Sequence, residues 1–250
     1  MRIDELSIKY VRNPNQSEME LSSGLNISHG LNGAGTTSVL ESLAICSFSK
    51  SFMPAPDASI VRSGAEFYSA SAKCTSDLNM PYNVSIRYTP GSKKAISGSI
   101  GENLNPKDII GEIPIVILSP DYKSITFGVP EDRRKFIDSI LSQSGKRYMD
   151  HLFALKRCLK QRNSLLTTGR KDYTFDYSLV EPWTEMLITT AIEVTLRRKK
   201  FIEEFKPYFE SAYTLLGASE ENVDIEYCPY GLDSDFIALP ENRVEFANRY

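Results

Sequence analysis

A glycine-rich loop between an apolar run and a helical pattern constrains this chain more than any other feature. Residues 30–37 read GLNGAGTT, which contains the spacing G-x-x-x-x-G. A short apolar run at 25–28 precedes the loop, and apolar residues at helical spacing follow it between Val39 and Ala44. This order predicts a strand, a loop and a helix, which is the arrangement of a phosphate-binding loop.

The residue types in the loop fit phosphate chemistry. Glycines allow backbone N–H groups to surround phosphate oxygens, and a helix N-terminus adds positive potential. Thr37 stands where a hydroxyl would coordinate Mg²⁺. The predicted binding residues are Gly30, Leu31, Asn32, Gly33, Ala34, Gly35, Thr36 and Thr37. A tight turn without a ligand is the alternative interpretation of the same residues.

The loop lacks its usual cation. Thr36 occupies the position that carries lysine in phosphate-binding loops. A charged hydrogen bond to phosphate contributes about 1.5–3 kcal/mol, so its loss should weaken nucleotide binding about ten- to hundredfold. The backbone cradle would remain, and catalysis on the terminal phosphate should suffer more than binding.

The composition excludes several classes of protein. Of 250 residues, 41% are hydrophobic and 24% are charged, which is typical of globular chains and excludes disordered or collagen-like ones. The four cysteines form no C-x-x-C pair and the two histidines have no metal-ligand spacing, so we expect neither a disulfide framework nor zinc. No secretion signal or run of ~20 apolar residues is present, so we expect a cytoplasmic protein.

The pattern divides the chain into three parts. Residues 1–130 show short alternating runs, including a β-meander between 67 and 97 and a buried-strand pattern at 113–118. From 131 to 216 the apolar period becomes helical, and the last of these helical stripes should stop before Pro207. Residues 217–250 are acidic and weakly patterned, and we expect them to return toward the first part.

Charge is distributed unevenly along the chain, although the net charge is only −3. Residues 131–170 hold ten basic and four acidic residues, whereas 207–250 hold two basic and nine acidic residues. The helical part therefore carries positive charge that could face an anionic partner.

Four motifs together resemble the RecF family of bacterial DNA replication and repair proteins. The run at 30–43, GLNGAGTTSVLESL, is similar to the family's GxNGxGKTxLLEA. The run at 115–138 resembles an apolar strand, SPDD, a glycine-proline turn and RRxFLD, and 148–166 resembles YxxxLxxYxxxLKQRNxLL. Residues 183–201 match a later family helix in part, and the two middle motifs are far more specific than the loop.

The resemblance implies a fold and a function. The fold would be an α/β P-loop ABC-type (SMC/RecF-like) ATPase head with a β-meander and an inserted helical lobe. The family implies an ATP- and Mg²⁺-dependent dimer that binds double-stranded DNA and acts with RecO and RecR to load recombinase at gapped DNA in the SOS response. It places Arg12 near the nucleotide and Asp121 near the γ-phosphate, although either residue could equally be a surface-loop charge.

Two departures from the family pattern limit these expectations. The Walker A lysine is replaced by Thr36, and the sequence resembles only the N-terminal two-thirds of the family, before its signature and Walker B motifs. Residues 141–145 and 236–239 superficially resemble those two motifs, but we interpret them as chance matches. We therefore assign no catalytic residue and expect no ATP turnover from these 250 residues alone.

Contacts to DNA should lie on the helical part and involve phosphates rather than bases. The candidate residues are Lys156, Lys160, Arg197, Arg198, Lys199 and Lys200. For any single one of them, a solvated helix face is the alternative. A nucleotide-blind module that binds DNA or RecR is the alternative function, and a P-loop kinase is disfavoured because the lysine is missing.

Overall fold

The computed structural model describes residues 1–169, 175–217, 223–229, 242 and 245–247, apart from the side chains of Asp121 and Tyr177. The chain consists of two compact units, Met1–Lys123 and Ser124–Tyr250. The boundary between the two units lies at 123–124, whereas the sequence pattern starts the helical part at 131.

The first unit is built on a five-stranded antiparallel sheet in the order β2-β1-β3-β4-β5. Its strands are β1 (Arg2–Lys9), β2 (Gln16–Glu20), β3 (Tyr68–Thr75), β4 (Pro81–Tyr88) and β5 (Ala95–Gly98). The consecutive strands β3, β4 and β5 confirm the predicted meander. One short helix, α2 (Pro106–Ile109), follows the sheet.

Alternation along the strands assigns one face of this sheet to the core. Leu6 pairs with Ala72, and Ala72 pairs with Val84, so three buried side chains lie in one row across three strands. Helix α1 (Thr36–Phe48) covers this face and adds Ile45 and Cys46 to the same cluster. The sheet therefore fixes the helix that begins at the glycine loop.

Two predicted strands are wrong. Residues 25–28 and 113–118 belong to no strand or bridge in the described part of the chain. Their apolar patterns are correct for strands, but a strand forms only where a neighbour supplies backbone partners. Leu25, Val116 and Leu118 are instead 84%, 83% and 94% exposed.

The second unit is helical. After α3 (Lys123–Phe127), which begins at the last residue of the first unit, it contains α4 (Pro130–Ser144), α5 (Lys146–Gly169) and α6 (Glu181–Leu215). The three long helices enclose a core in which Leu141, Leu152 and Val194 are among the buried residues. This arrangement confirms the predicted helical lobe.

The sequence pattern predicts that the last helix stops before Pro207, but helix α6 continues to Leu215. A proline inside a helix removes one backbone hydrogen bond and crowds the preceding turn, which weakens a helix without always ending it. Phe201, Phe205 and Phe209 pack along one side of the helix across the proline, with ring centroids 5.4 and 6.3 Å apart. These contacts favour continuation.

Only part of the acidic segment 217–250 is described. Ile225, Tyr227, Phe246 and Ala247 pack in or against the core of the second unit. The remainder of the expected return segment, including the apolar run at 236–239, lies outside the described residues. Within the described residues, every helix is too short or too polar to cross a lipid bilayer.

Candidate functional site

The glycine loop leads directly into α1 and depends on its glycines. Gly33 and Gly35 have φ angles of 84° and 97°, in the region that favours glycine. A Cβ atom on Gly35 would lie 2.6 Å from Cγ of Pro14, and one on Gly30 would lie 2.9 Å from Cβ of Ala34. The loop therefore packs closely against Pro14 at Gly35, while residues 30–34 are exposed.

Residues 10–14, which we call the clasp, contact the loop at Gly33 and Gly35. Asn13 donates a hydrogen bond from Nδ2 to the backbone oxygen of Gly33 at 2.7 Å, and Pro14 packs on Gly35. The clasp is itself fixed because the Arg12 N–H donates to the backbone oxygen of Ile60 at 2.8 Å. Contacts distant in sequence thus set the shape of the loop.

Arg12 ties the clasp to α1. Its Nε and Nη2 atoms donate to the two carboxylate oxygens of Glu41 at 3.0 and 2.9 Å, and Nη1 donates to the backbone oxygen of Ser59 at 3.1 Å. The hydrogen bonds to Glu41 raise the pKa of Arg12. Glu41 is fully buried, so the Arg12 guanidinium neutralises a charge that would otherwise be costly. Arg12 is consequently not a free surface-loop charge.

The first turn of α1 carries no acidic residue, and its N-cap Gly35 provides no side-chain hydrogen bond. The first N–H groups of a helix have no partner within the helix, and together with the helix dipole they favour an anion there. Thr36 lies half-buried, and its Cγ2 is 3.7 Å from the position that a Cβ on Gly30 would take, so a methyl group faces the loop. The neighbouring Thr37 is exposed.

The remaining predicted nucleotide residue is Asp121. It lies in a 3-10 turn, Pro120–Tyr122, in the first unit, and its side chain is outside the described part. Its role at the γ-phosphate stays a prediction. No cluster of three His, Cys, Asp or Glu side chains suited to a metal occurs among the described residues.

One predicted DNA contact requires correction. Arg198 is 4% exposed, and its Nε and Nη2 atoms donate to the carboxylate oxygens of Asp138 at 2.8 and 2.9 Å. Tyr148 donates to the same carboxylate at 2.6 Å. Burial alone would lower the pKa of Arg198, but Asp138 raises it above its ordinary value. Arg198 therefore joins α4 and α6 and is unavailable to a phosphate.

The other candidate DNA contacts are exposed: Lys156 and Lys160 on α5, and Arg197, Lys199 and Lys200 on α6. Lys200 also approaches Glu204 one turn later, at 3.6 Å, which is a weak surface pair.

Sequence reasoning missed the clasp partners Asn13, Pro14 and Glu41. The signal for Glu41 was available, since an acidic residue on the buried face of a helix needs a cation. The contacts of Asn13 and Pro14 span about twenty residues and leave no local pattern.

Comparison with known proteins identifies close relatives of this chain. The DNA replication and repair protein RecF of Chlorobium luteolum is 30% identical over 250 residues, which are 100% of this chain and 68% of the relative. RecF of Salinibacter ruber is 33% identical over 228 residues, covering 91% of this chain and 55% of its own length. RecF of Prosthecochloris aestuarii is 33% identical over 224 residues, covering 88% and 59%. The chain thus spans little more than half the length of the latter two.

A solved structure supports the same relationship at the level of the fold. The recombination mediator protein RecF, described with ATP in the RecFOR pathway, superimposes with a TM-score of 0.87 at 24% identity, covering 99% of this chain and 66% of its own. No family model matches. Sequence identity to curated relatives and the shared fold lead to one conclusion: this chain belongs to the RecF family of DNA replication and repair proteins.

Proposed function

We propose that this chain binds ATP in its glycine loop, as the nucleotide-binding part of a RecF-type DNA replication and repair protein. The carrying observation is that the clasp holds the glycines of the loop in place in front of the N-terminus of α1, which has no acidic residue in its first turn. The solved relative described with ATP supports the choice of ligand. Thr36 brings no positive charge, so binding should be weaker than in a loop that carries lysine.

Other residues have supporting roles in this proposal. The hydroxyl of Thr37, which is an exposed residue, would coordinate the Mg²⁺ that accompanies ATP. Arg12 would act as a positioning residue, because its hydrogen bonds hold α1 beside the clasp. Asp121 would sense the γ-phosphate.

Replacement of Gly35 tests the ATP site. Gly35→Ala would place a methyl group against Pro14, so we expect ATP affinity measured by calorimetry to fall at least tenfold. Gly91→Ala is the matched control, because Gly91 has a comparable φ of 81° with no atom within 4 Å of an added Cβ. Equal ATP affinity in the two variants would mean that the loop does not bind the nucleotide.

We also propose that double-stranded DNA binds the second unit through its phosphates. The support is the exposed basic set on α5 and α6, namely Lys156, Lys160, Arg197, Lys199 and Lys200. Affinity for duplex DNA comes largely from neutralised phosphates and released counterions, which such a set provides without reading bases.

A double charge reversal tests this surface. Lys156→Glu combined with Lys160→Glu should weaken binding of a 30-base-pair duplex at least tenfold and reduce the salt slope by about 1–2. Lys93→Glu combined with Lys107→Glu applies the same charge change to exposed residues of the first unit. If both double variants bind DNA alike in fluorescence anisotropy, the surface on α5 is not the DNA site.

The wider assignment rests on the family. We propose that the protein forms an ATP-dependent homodimer. This dimer would act with RecO and RecR to help load recombinase at gapped DNA. A nucleotide-blind module that binds DNA or RecR is the second candidate, and Thr36 is the observation that favours it. Sedimentation with and without ATP distinguishes them, because only the first forms dimers in response to the nucleotide.

A further inference from the structure

The part of the chain around the glycine loop contains few cations. No lysine or arginine occurs between Arg12 and Lys50. All three nitrogens of the Arg12 guanidinium already donate hydrogen bonds, two of them to Glu41 and one to the backbone oxygen of Ser59. Lys50 lies beyond the C-terminal end of α1, a helix of 13 residues that is about 20 Å long. Neither side chain is therefore placed to supply the charge that Thr36 does not bring.

The loop offers backbone donors instead of a charged side chain. The N–H groups of Gly33 and Gly35 donate to no acceptor among the described residues, whereas the N–H of Ala34 donates to the backbone oxygen of Leu31 at 2.9 Å. Backbone N–H groups in a turn that contains left-handed residues form concavities for anions, and both glycines have positive φ angles. The clasp contacts both glycines, so the protein itself holds these donors in place.

We propose that this loop recognises the diphosphate that ADP and ATP share and does not distinguish the two nucleotides. In phosphate-binding loops the backbone N–H groups surround the α- and β-phosphates, whereas the lysine reaches the β- and γ-phosphates. The backbone donors are present here, but Thr36 directs a methyl group at the loop, so the γ-phosphate gains no charged contact from it. This inference rests on the proposed nucleotide site. Any preference for ATP has to come from groups outside the loop.

Calorimetric titration of the whole 250-residue chain with AMP, ADP and ATP, each in the presence of Mg²⁺, tests the inference directly. We expect the affinities for ADP and ATP to agree within about threefold, because the loop makes the same hydrogen bonds to both nucleotides. AMP should bind at least about tenfold more weakly than ADP, because it lacks the β-phosphate that the backbone donors would contact.

Substitutions at position 36 separate the effect of charge from that of size. Thr36→Lys should raise the affinity for ATP at least about threefold more than the affinity for ADP, because a lysine reaches the γ-phosphate as well as the β-phosphate. Thr36→Met is the matched control, since methionine is long and flexible but uncharged, and it should leave the two affinities within about threefold of each other. Gly35→Ala disturbs donors that both nucleotides use, so it should weaken ADP and ATP by the same factor.

The outcomes separate this inference from the proposed function. Similar affinities for ADP and ATP in the parent chain, with a preference for ATP only in Thr36→Lys, support it. Affinities for ADP and ATP that differ by more than about threefold in the parent chain would overturn it and leave the nucleotide site standing. Equal affinities for AMP and ADP would overturn it as well, because the loop would then not contact the β-phosphate. If none of the three nucleotides binds measurably, the proposed ATP site is wrong and the inference is overturned with it.

Discussion

At the residue scale, the candidate site depends on a few contacts behind the loop rather than on groups in front of it. Arg12 and Glu41 are 29 positions apart, yet their ion pair holds the clasp to the helix that follows the loop. A fully buried carboxylate can hold two segments together in this way only while its cation is present. Ser51 adds a hydrogen bond of 2.6 Å to the same carboxylate.

Substitution of Glu41 tests the role of the Arg12–Glu41 ion pair. Glu41→Gln removes the charge that Arg12 neutralises, so we expect the free energy of unfolding to fall by about 1–3 kcal/mol in urea. ATP affinity should fall as well, because the loop loses its fixed support. Glu18→Gln, at an exposed position of β2, should change neither quantity. A stable Glu41→Gln variant with normal ATP affinity would show that the pair does not position the loop.

The residues of the loop were more predictable than their support. The G-x-x-x-x-G spacing predicts backbone conformations that Gly33 and Gly35 adopt, since positive φ angles are a local property. The hydrogen bond from Asn13 to Gly33 depends on tertiary structure, so no periodic pattern announces it.

At the scale of elements, the helical period of apolar residues predicts the buried face of a helix. It does so more reliably than a run of basic residues predicts an exposed binding surface. Leu187, Ala191 and Val194 form the buried face of α6, and continuing by four residues from Val194 gives Arg198 and then Ile202. Arg198 therefore lies on the buried face, although the run at 197–200 reads as a uniformly basic patch. The helical period should have excluded it as a DNA contact.

Arg198 and Lys199 are adjacent in α6, but we expect their substitution to have different effects. Arg198→Ala leaves Asp138 buried without its cation, so the second unit should lose about 3–5 kcal/mol of stability. Lys199→Ala, at an exposed position, should change stability by less than about 0.5 kcal/mol while weakening DNA binding. Thermal unfolding and anisotropy measure the two effects. Similar stability losses in both variants would contradict the structural role of Arg198.

Strand predictions succeeded where both partners are present in the sheet. The runs that became β3, β4 and β5 pair with one another in register. Residues 25–28 and 113–118 have equally good apolar patterns, but they pair with no strand in the described part of the chain. A strand also needs a neighbour, which its own sequence does not encode.

At the scale of the whole molecule, two units divide the proposed work. The first unit holds the glycine loop and the clasp, and the second carries the exposed basic residues of α5 and α6. The fold class and the family were predictable because four motifs occur in the family's order along almost the entire chain.

The most direct test of the central claim is calorimetric titration of ATP into the chain and into its Thr36→Lys variant. Restoring the cation to a loop whose cradle is already formed should raise ATP affinity by several-fold to about a hundredfold. Leu78→Lys adds the same charge at the opposite end of the sheet from the clasp and should leave ATP affinity unchanged. Equal ATP affinity in the parent chain and the Thr36→Lys variant would contradict the assignment of the loop as a phosphate site.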